Sequence, residues 1–90
     1  MAIQRILKFP LREDAGNEIK CRFLRLLDIQ VQNSIITAWV LTDSEMPEKM
    51  VNFVPIGTGW EIPVEILEGM EYVKTVQDDY GYVWHYYMKV

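Results

Sequence analysis

Apolar and polar residues alternate with a period of two along most of this chain, the spacing of strands with one covered face. From Ile3 to Leu11 the apolar Ile3, Leu7, Phe9 and Leu11 share one parity and Gln4 and Lys8 the other, which predicts a half-buried strand. Pro10 stands near its end, a position that suits a sheet edge because proline has no N–H to donate. Arg12 to Asn17, with Asp14, Gly16 and Asn17, reads as a turn.

Residues 17–33 carry two patterns at once. Ile19, Phe23, Leu26, Leu27 and Gln30 recur at three- and four-residue spacing behind Asn17, a residue type that caps helices. Leu27, Ile29 and Val31 alternate against Asp28, Gln30 and Gln32, as a strand does. A strand from about Arg25 to Gln32 is expected, and residues 18–27 stay open between helix and strand. Asn33-Ser34 falls at a hairpin-like junction, without the glycine of the strongest turn pairs.

Ile35 to Thr42 is β-branched and apolar on both parities, which predicts a central strand covered on both faces. Asp43 to Lys49 reads as an exposed loop. Met50 to Ile56 predicts another strand, closed by Pro55 and Gly57-Thr58-Gly59. Pro63 to Gly69 predicts a turn or two of helix, with proline at its start and glycine at its end. Tyr72–Gln77 and Tyr82–Val90 form a last hairpin through Asp78-Asp79-Tyr80-Gly81. The fold expected is mainly β: a small antiparallel sheet, sandwich or partly open barrel of five to six strands, with one short helical turn, in a single domain over 1–90.

Composition narrows the function classes. Half of the residues are hydrophobic and 24% charged, which is ordinary for a globular chain. A net charge of −4, with basic residues concentrated only at Lys20, Arg22 and Arg25, argues against nucleic acid as a partner. A single cysteine, Cys21, rules out an internal disulfide and fits a reducing compartment. No run approaches the roughly 20 apolar residues of a membrane-spanning helix, and Met1 to Phe9 lacks the apolar core of a secretion signal.

Constellations for catalysis are nearly missing. One Cys and one His do not make up the usual zinc set of four ligands. Cys21 with His85 is the only nucleophile–base pair available, and a lone cysteine is more often a small hydrophobe. Glu65, Glu68 and Glu71 read as a solvated face. No catalytic residue, metal or cofactor is therefore assigned, and the protein is expected to bind rather than catalyse. Gly57-Thr58-Gly59-Trp60 is the strongest local feature: glycines around Thr58 could expose amides in a concave nest beside the stacking face of Trp60. The alternative is a tight strand-ending turn with Trp60 plugging the core.

The last strand is aromatic on both faces, with Tyr82, Trp84 and Tyr86 on one parity and His85 and Tyr87 on the other. Aromatics beyond what a small core needs point to surface buried elsewhere, against a partner or a second copy.

Several segments together resemble a family of small uncharacterised proteins of bacteriophages and prophages. They are Ile6-Leu7-Lys8-Phe9-Pro10-Leu11, the run Leu26 to Asn33 (LLDIQVQN), Ala38-Trp39-Val40-Leu41-Thr42-Asp43, Ile56-Gly57-Thr58-Gly59, Tyr72 to Gln77 and Val83-Trp84-His85. The chain departs from that pattern at Cys21-Arg22-Phe23, where Pro and Gly are usual, and at Trp60-Glu61, where His-Pro is usual. The resemblance carries no activity; it implies a phage accessory product in the cytoplasm of a bacterial host. The leading expectation is binding to a host or phage protein, which could inhibit a host defence or another host process, through Trp60, Trp84 and Tyr86. An oligomer sequestering a small nucleotide-like ligand is the alternative, with Trp39 or Trp60 stacking and Gly57 to Gly59 supplying amides. A minor virion component is the third.

Overall fold

The computed structural model describes residues 1–90 as seven antiparallel strands in two sheets. These are β1 (Gln4–Pro10), β2 (Asn17–Cys21), β3 (Phe23–Gln32), β4 (Ile35–Asp43), β5 (Lys49–Gly57), β6 (Glu71–Gln77) and β7 (Val83–Lys89). One sheet has the order β1-β4-β3 and the other β2-β5-β7-β6. The mainly β, antiparallel fold expected from the alternation is therefore present, as two sheets and not as a closed barrel. Pro63 to Gly69 holds a single 3-10 turn, Val64–Ile66, after which Gly69 takes a positive φ of 75°. No helix in the structure is long and apolar enough to cross a membrane.

Residues 18–27 resolve as strand apart from Arg22, and two irregularities explain their helical look. The chain leaves one sheet for the other at Arg22 alone, and β3 then shifts register between Phe23 and Arg25 and between Leu26 and Asp28. A bulge inserts a residue and changes which parity points inward. Phe23, Leu26 and Ile29 thus turn towards the core at three-residue steps, a spacing that imitates a helix face. Beyond the last shift Val31 keeps strict alternation.

The β3–β4 hairpin closes at Asn33-Ser34 with φ of 50° and 67°. Positive φ at both central residues is the geometry of a two-residue type I′ turn, whose twist matches the strands it joins. Asparagine accommodates it through its short polar side chain, so glycine is not required.

β4 is central, as expected, but its two faces differ. Ile36, Ala38 and Val40 are fully buried, while on the other parity Trp39 and Leu41 are half-buried and Ile35 is exposed. The half-buried strand expected over Ile3 to Leu11 is covered only at its end: Ile3, Ile6 and Leu7 are exposed, Phe9 is partly covered and Leu11, just past β1, is buried. The reason is its place at an edge. A cleft of about 470 Å³ lies between β1 and β2, lined by Ile3, Leu7, Phe9, Lys20 and Cys21. Pro10, at the end of this edge strand, sits where its missing N–H costs least. Pro55 lies inside β5 and does not close it: β2 pairs no further than Phe53, so nothing on that side needs a donor from Pro55.

The core is drawn from both sheets. Ile29, Ile36 and Val40 face Val51, Phe53, Tyr86 and Met88 in one buried cluster. Only 18 of the 90 residues are buried, so each core side chain carries an unusual share of the stability.

The flank opposite the cleft is tied by a salt bridge between the two edge strands, Lys74 Nζ to Asp28 Oδ1 at 2.8 Å. The hydrogen bond from Lys74 holds the Asp28 carboxyl below its ordinary pKa, assisted by Gln30 and the Ile29 N–H, with partial burial opposing. A carboxyl depressed by folding contributes stability above its unfolded pKa of about 3.9, and that contribution is lost as pH falls through the lower folded value. Asp28→Asn is accordingly expected to be less stable than the native chain at pH 7. The gap should narrow below about pH 4. Urea melts at pH 7 and pH 3 check this, and a gap independent of pH would exclude the ionic origin.

Candidate binding site

Gly57-Thr58-Gly59-Trp60 is a β-turn, and the amides expected to form a nest there are partly used. The Trp60 N–H donates to the Gly57 carbonyl at 3.2 Å, with Gly59 at φ 85°, and the Thr58 N–H points to the Val83 carbonyl at 3.4 Å. Positive φ at the third turn residue is what selects glycine there. Gly57 is required for a different reason: a Cβ on it would come within 2.5 Å of the Trp60 indole. The indole folds back over the bare backbone of Gly57. It does not plug the core, because Trp60 stays 54% exposed.

That placement brings Trp60 against β7. The Trp60 and Trp84 ring centroids are 5.6 Å apart and nearly perpendicular, the favourable edge-to-face arrangement. Tyr82 tilts against Trp84 at 6.4 Å. Together with Gly57 and Gly81 these three rings line a groove of about 280 Å³.

Asp78 holds the groove's wall. Its Oδ1 accepts the N–H groups of Tyr80 and Tyr82 at 2.9 and 3.0 Å, and its Oδ2 accepts the Trp84 indole N–H at 3.0 Å. These bonds, the indole's first, keep the Asp78 carboxyl below its usual range. Gly81, at φ 89°, completes a three-residue loop of the kind that follows a type I turn. Neither Asp78 nor Tyr82 stands out as a site residue in the sequence. The available signal was an aspartate two and four residues before tyrosines, where it can cap both backbone amides.

Next to the groove, His85 is bridged by two hydroxyls. Its Nε2 lies 2.7 Å from Thr58 Oγ1 and its Nδ1 2.9 Å from Thr75 Oγ1, which in turn meets the Tyr72 hydroxyl at 2.6 Å. In a neutral ring one of these nitrogens donates and the other accepts, so both are occupied. The chain Thr58–His85–Thr75–Tyr72 crosses from the turn after β5 over β7 to β6 and fixes the Gly-Thr-Gly turn to the sheet.

The remaining residues go elsewhere. Tyr86 is not a surface anchor: it is fully buried, and its hydroxyl donates to the Arg12 carbonyl at 2.9 Å. Burial, with a smaller contribution from Glu13, pushes its phenol well above the ordinary pKa. Trp39 lies on the other sheet, paired with Lys8 and Asp28, and shares no groove with Trp60. Cys21 pairs with Lys49 at one end of β5 and His85 with Ile56 near the other, seven residues along a strand. That is roughly 20 Å, too far for a nucleophile and its base. Burial also raises the Cys21 thiol pKa, disfavouring the thiolate. No group of three or more His, Cys, Asp or Glu side chains could hold a metal ion.

Fold and site together define a small two-sheet antiparallel β domain with an aromatic-walled groove at one end. Residues 2–90 match the family described as Domain of unknown function (DUF7352), and the chain belongs to that family. No curated protein and no solved structure matches it.

Proposed function

We propose that this is a small phage accessory protein that acts by binding a host or phage protein, with Trp60, Tyr82 and Trp84 as its docking anchors. The observation that supports this most is the exposure of ordered aromatics: Trp60 and Tyr82 are 54% and 65% exposed, yet both pack on a Trp84 held by Asp78. Aromatic side chains already fixed in place lose little entropy on binding, and such residues dominate the energetics of protein interfaces. The phage origin rests on the sequence resemblance, and inhibition of a host defence is the form of action that origin suggests. A nucleotide-like ligand is less well supported, since among the Gly57 to Gly59 amides expected to hold it the Thr58 N–H is already directed at the Val83 carbonyl.

The double substitution Trp60→Ala, Tyr82→Ala tests the proposal. Tagged native and variant proteins are cross-linked in phage-infected cells, and the partner's affinity for each is then measured with purified components. The expected result is one dominant protein partner whose affinity falls at least tenfold in the variant, the loss of about 1.4 kcal/mol or more. Unchanged thermal melting would show that the variant still folds. Equal affinity of both forms for the partner would refute the assignment of these residues.

A further inference from the structure

We infer that the free edge of β1 is a self-association surface, pairing antiparallel with β1 of a second copy about a two-fold axis through Ile6. The inference concerns the other sheet from the aromatic groove and goes beyond the binding function proposed for it.

The four edge strands differ in how they are protected. Bulges discourage edge-to-edge pairing. β3 carries two register shifts and β6 one, and the Lys74–Asp28 salt bridge joins these two edges to each other. β2 is five residues long and carries Glu18 and Lys20 between its inward side chains. β1 is seven residues long, pairs with β4 without any register shift, and borders the open cleft. It also exposes Ile6 and Leu7, with Ile6 at 61%.

The register decides which backbone groups are unpaired. Ser44 N–H donates to the Ile3 carbonyl at 2.9 Å and Leu11 N–H to the Ile36 carbonyl at 2.8 Å, at the two ends of the β1–β4 ladder. Between them the register is continuous, so Arg5, Leu7 and Phe9 also face β4. Gln4, Ile6 and Lys8 therefore turn their N–H and C=O groups to the free edge. Pro10 has the same parity and offers no donor, which confines pairing to these three positions.

A two-fold through Ile6 satisfies all three. Ile6 meets Ile6 of the second copy, and Gln4 meets Lys8 on each side, giving three rungs in which each opposed pair exchanges two hydrogen bonds. The side chains agree with this register. Two exposed isoleucines cover one another at the centre. Each Lys8 lands beside the Gln4 that donates to Asp43 Oδ2 at 3.0 Å, so that its ammonium, which donates to Gln32 Oε1 at 3.1 Å in the single copy, can exchange that neutral acceptor for a carboxylate. The result is a continuous six-stranded sheet with the like-charged lysines at opposite ends.

Amide hydrogen exchange and sedimentation of the full chain over a concentration series test this. The expected result is a doubling of mass with concentration, accompanied by protection of the Gln4, Ile6 and Lys8 amides. The Arg5, Leu7 and Phe9 amides should be protected at every concentration, because they serve β4. Ile6→Pro removes one edge donor without touching the β1–β4 ladder, and Ile6→Lys opposes two like charges; both should shift the dimer dissociation constant upward by tenfold or more. A chain that stays monomeric, or a dimer that survives both substitutions while the three amides exchange freely, overturns the inference. So does protection of those amides only on addition of a different protein, which would assign the edge to a foreign strand.

Discussion

Phe53→Ala is expected to remove about 3–5 kcal/mol of unfolding free energy. Phe53 is fully buried on β5, opposite Asn17 on one side and Met88 on the other, and belongs to the single cluster that joins the two sheets. Truncation loses the transfer energy of the ring and leaves a cavity that two hydrogen-bonded sheets cannot collapse around. A domain of this size holds only about 5–13 kcal/mol in total, from typical per-residue values. The variant should therefore unfold at a much lower urea concentration, or be partly unfolded without urea. Phe53→Leu, which keeps most of the volume, should lose less than half as much. A loss under about 1 kcal/mol for the alanine variant would mean the ring is not packed between the sheets.

Asn17→Ala is expected to cost about 2–3 kcal/mol, although the side chain is small and polar. Its Oδ1 accepts the Arg12 N–H at 2.7 Å, and its Nδ2 lies within 3.2–3.4 Å of the carbonyls of Arg12, Ala15 and Phe53. The side chain thus fastens the loop before β2 to the strand beside it. Removing it strands the Arg12 amide, and an unsatisfied group costs more than a hydrogen bond contributes; the Phe53 carbonyl, paired within the sheet, loses only an added partner at 3.4 Å. The Arg12 carbonyl keeps one partner, the Tyr86 hydroxyl. Asn17→Asp separates the two roles: it can still accept from Arg12 but cannot donate, and it sets a charge among carbonyl oxygens. It should be at least as destabilised as the alanine variant at pH 7 and recover part of the loss in acid, as the carboxyl gains a proton to donate. Chemical melts of both variants at pH 7 and pH 4 give the comparison. Equal stability of all three proteins would exclude the staple.

Both effects depend on residues whose importance is unequally visible in the sequence. Phe53 sits in an alternating apolar run, and its burial follows from period alone. Asn17 looked like a helix cap or a turn residue. Its four polar neighbours come from a loop and from β5, and only pairing of β2 with β5 brings them together. The same division runs through the site. The Gly-Thr-Gly-Trp turn is legible as glycine at fixed offsets, but not that its Thr58 amide is directed at β7. Tyr86 and Trp84 share a parity, yet one is sealed in the core and the other lines a groove. That difference arises because β7 is central along its middle and meets the end of β5 at Gly57.

Sequence by itself determined the mainly β class, the hairpin turns, the position of the short helical turn and the strands with unbroken alternation. Those features depend on local rules: the two-residue period of a strand, and the few residues that accept a positive φ or lack an N–H. Tertiary structure alone decided the partition into two sheets, the bulges that made residues 17–30 resemble a helix, and the exposure of β1. It also decided which aromatics reach solvent. Each of these is set by what lies opposite a side chain, and in this protein the strands that face one another are far apart in the chain.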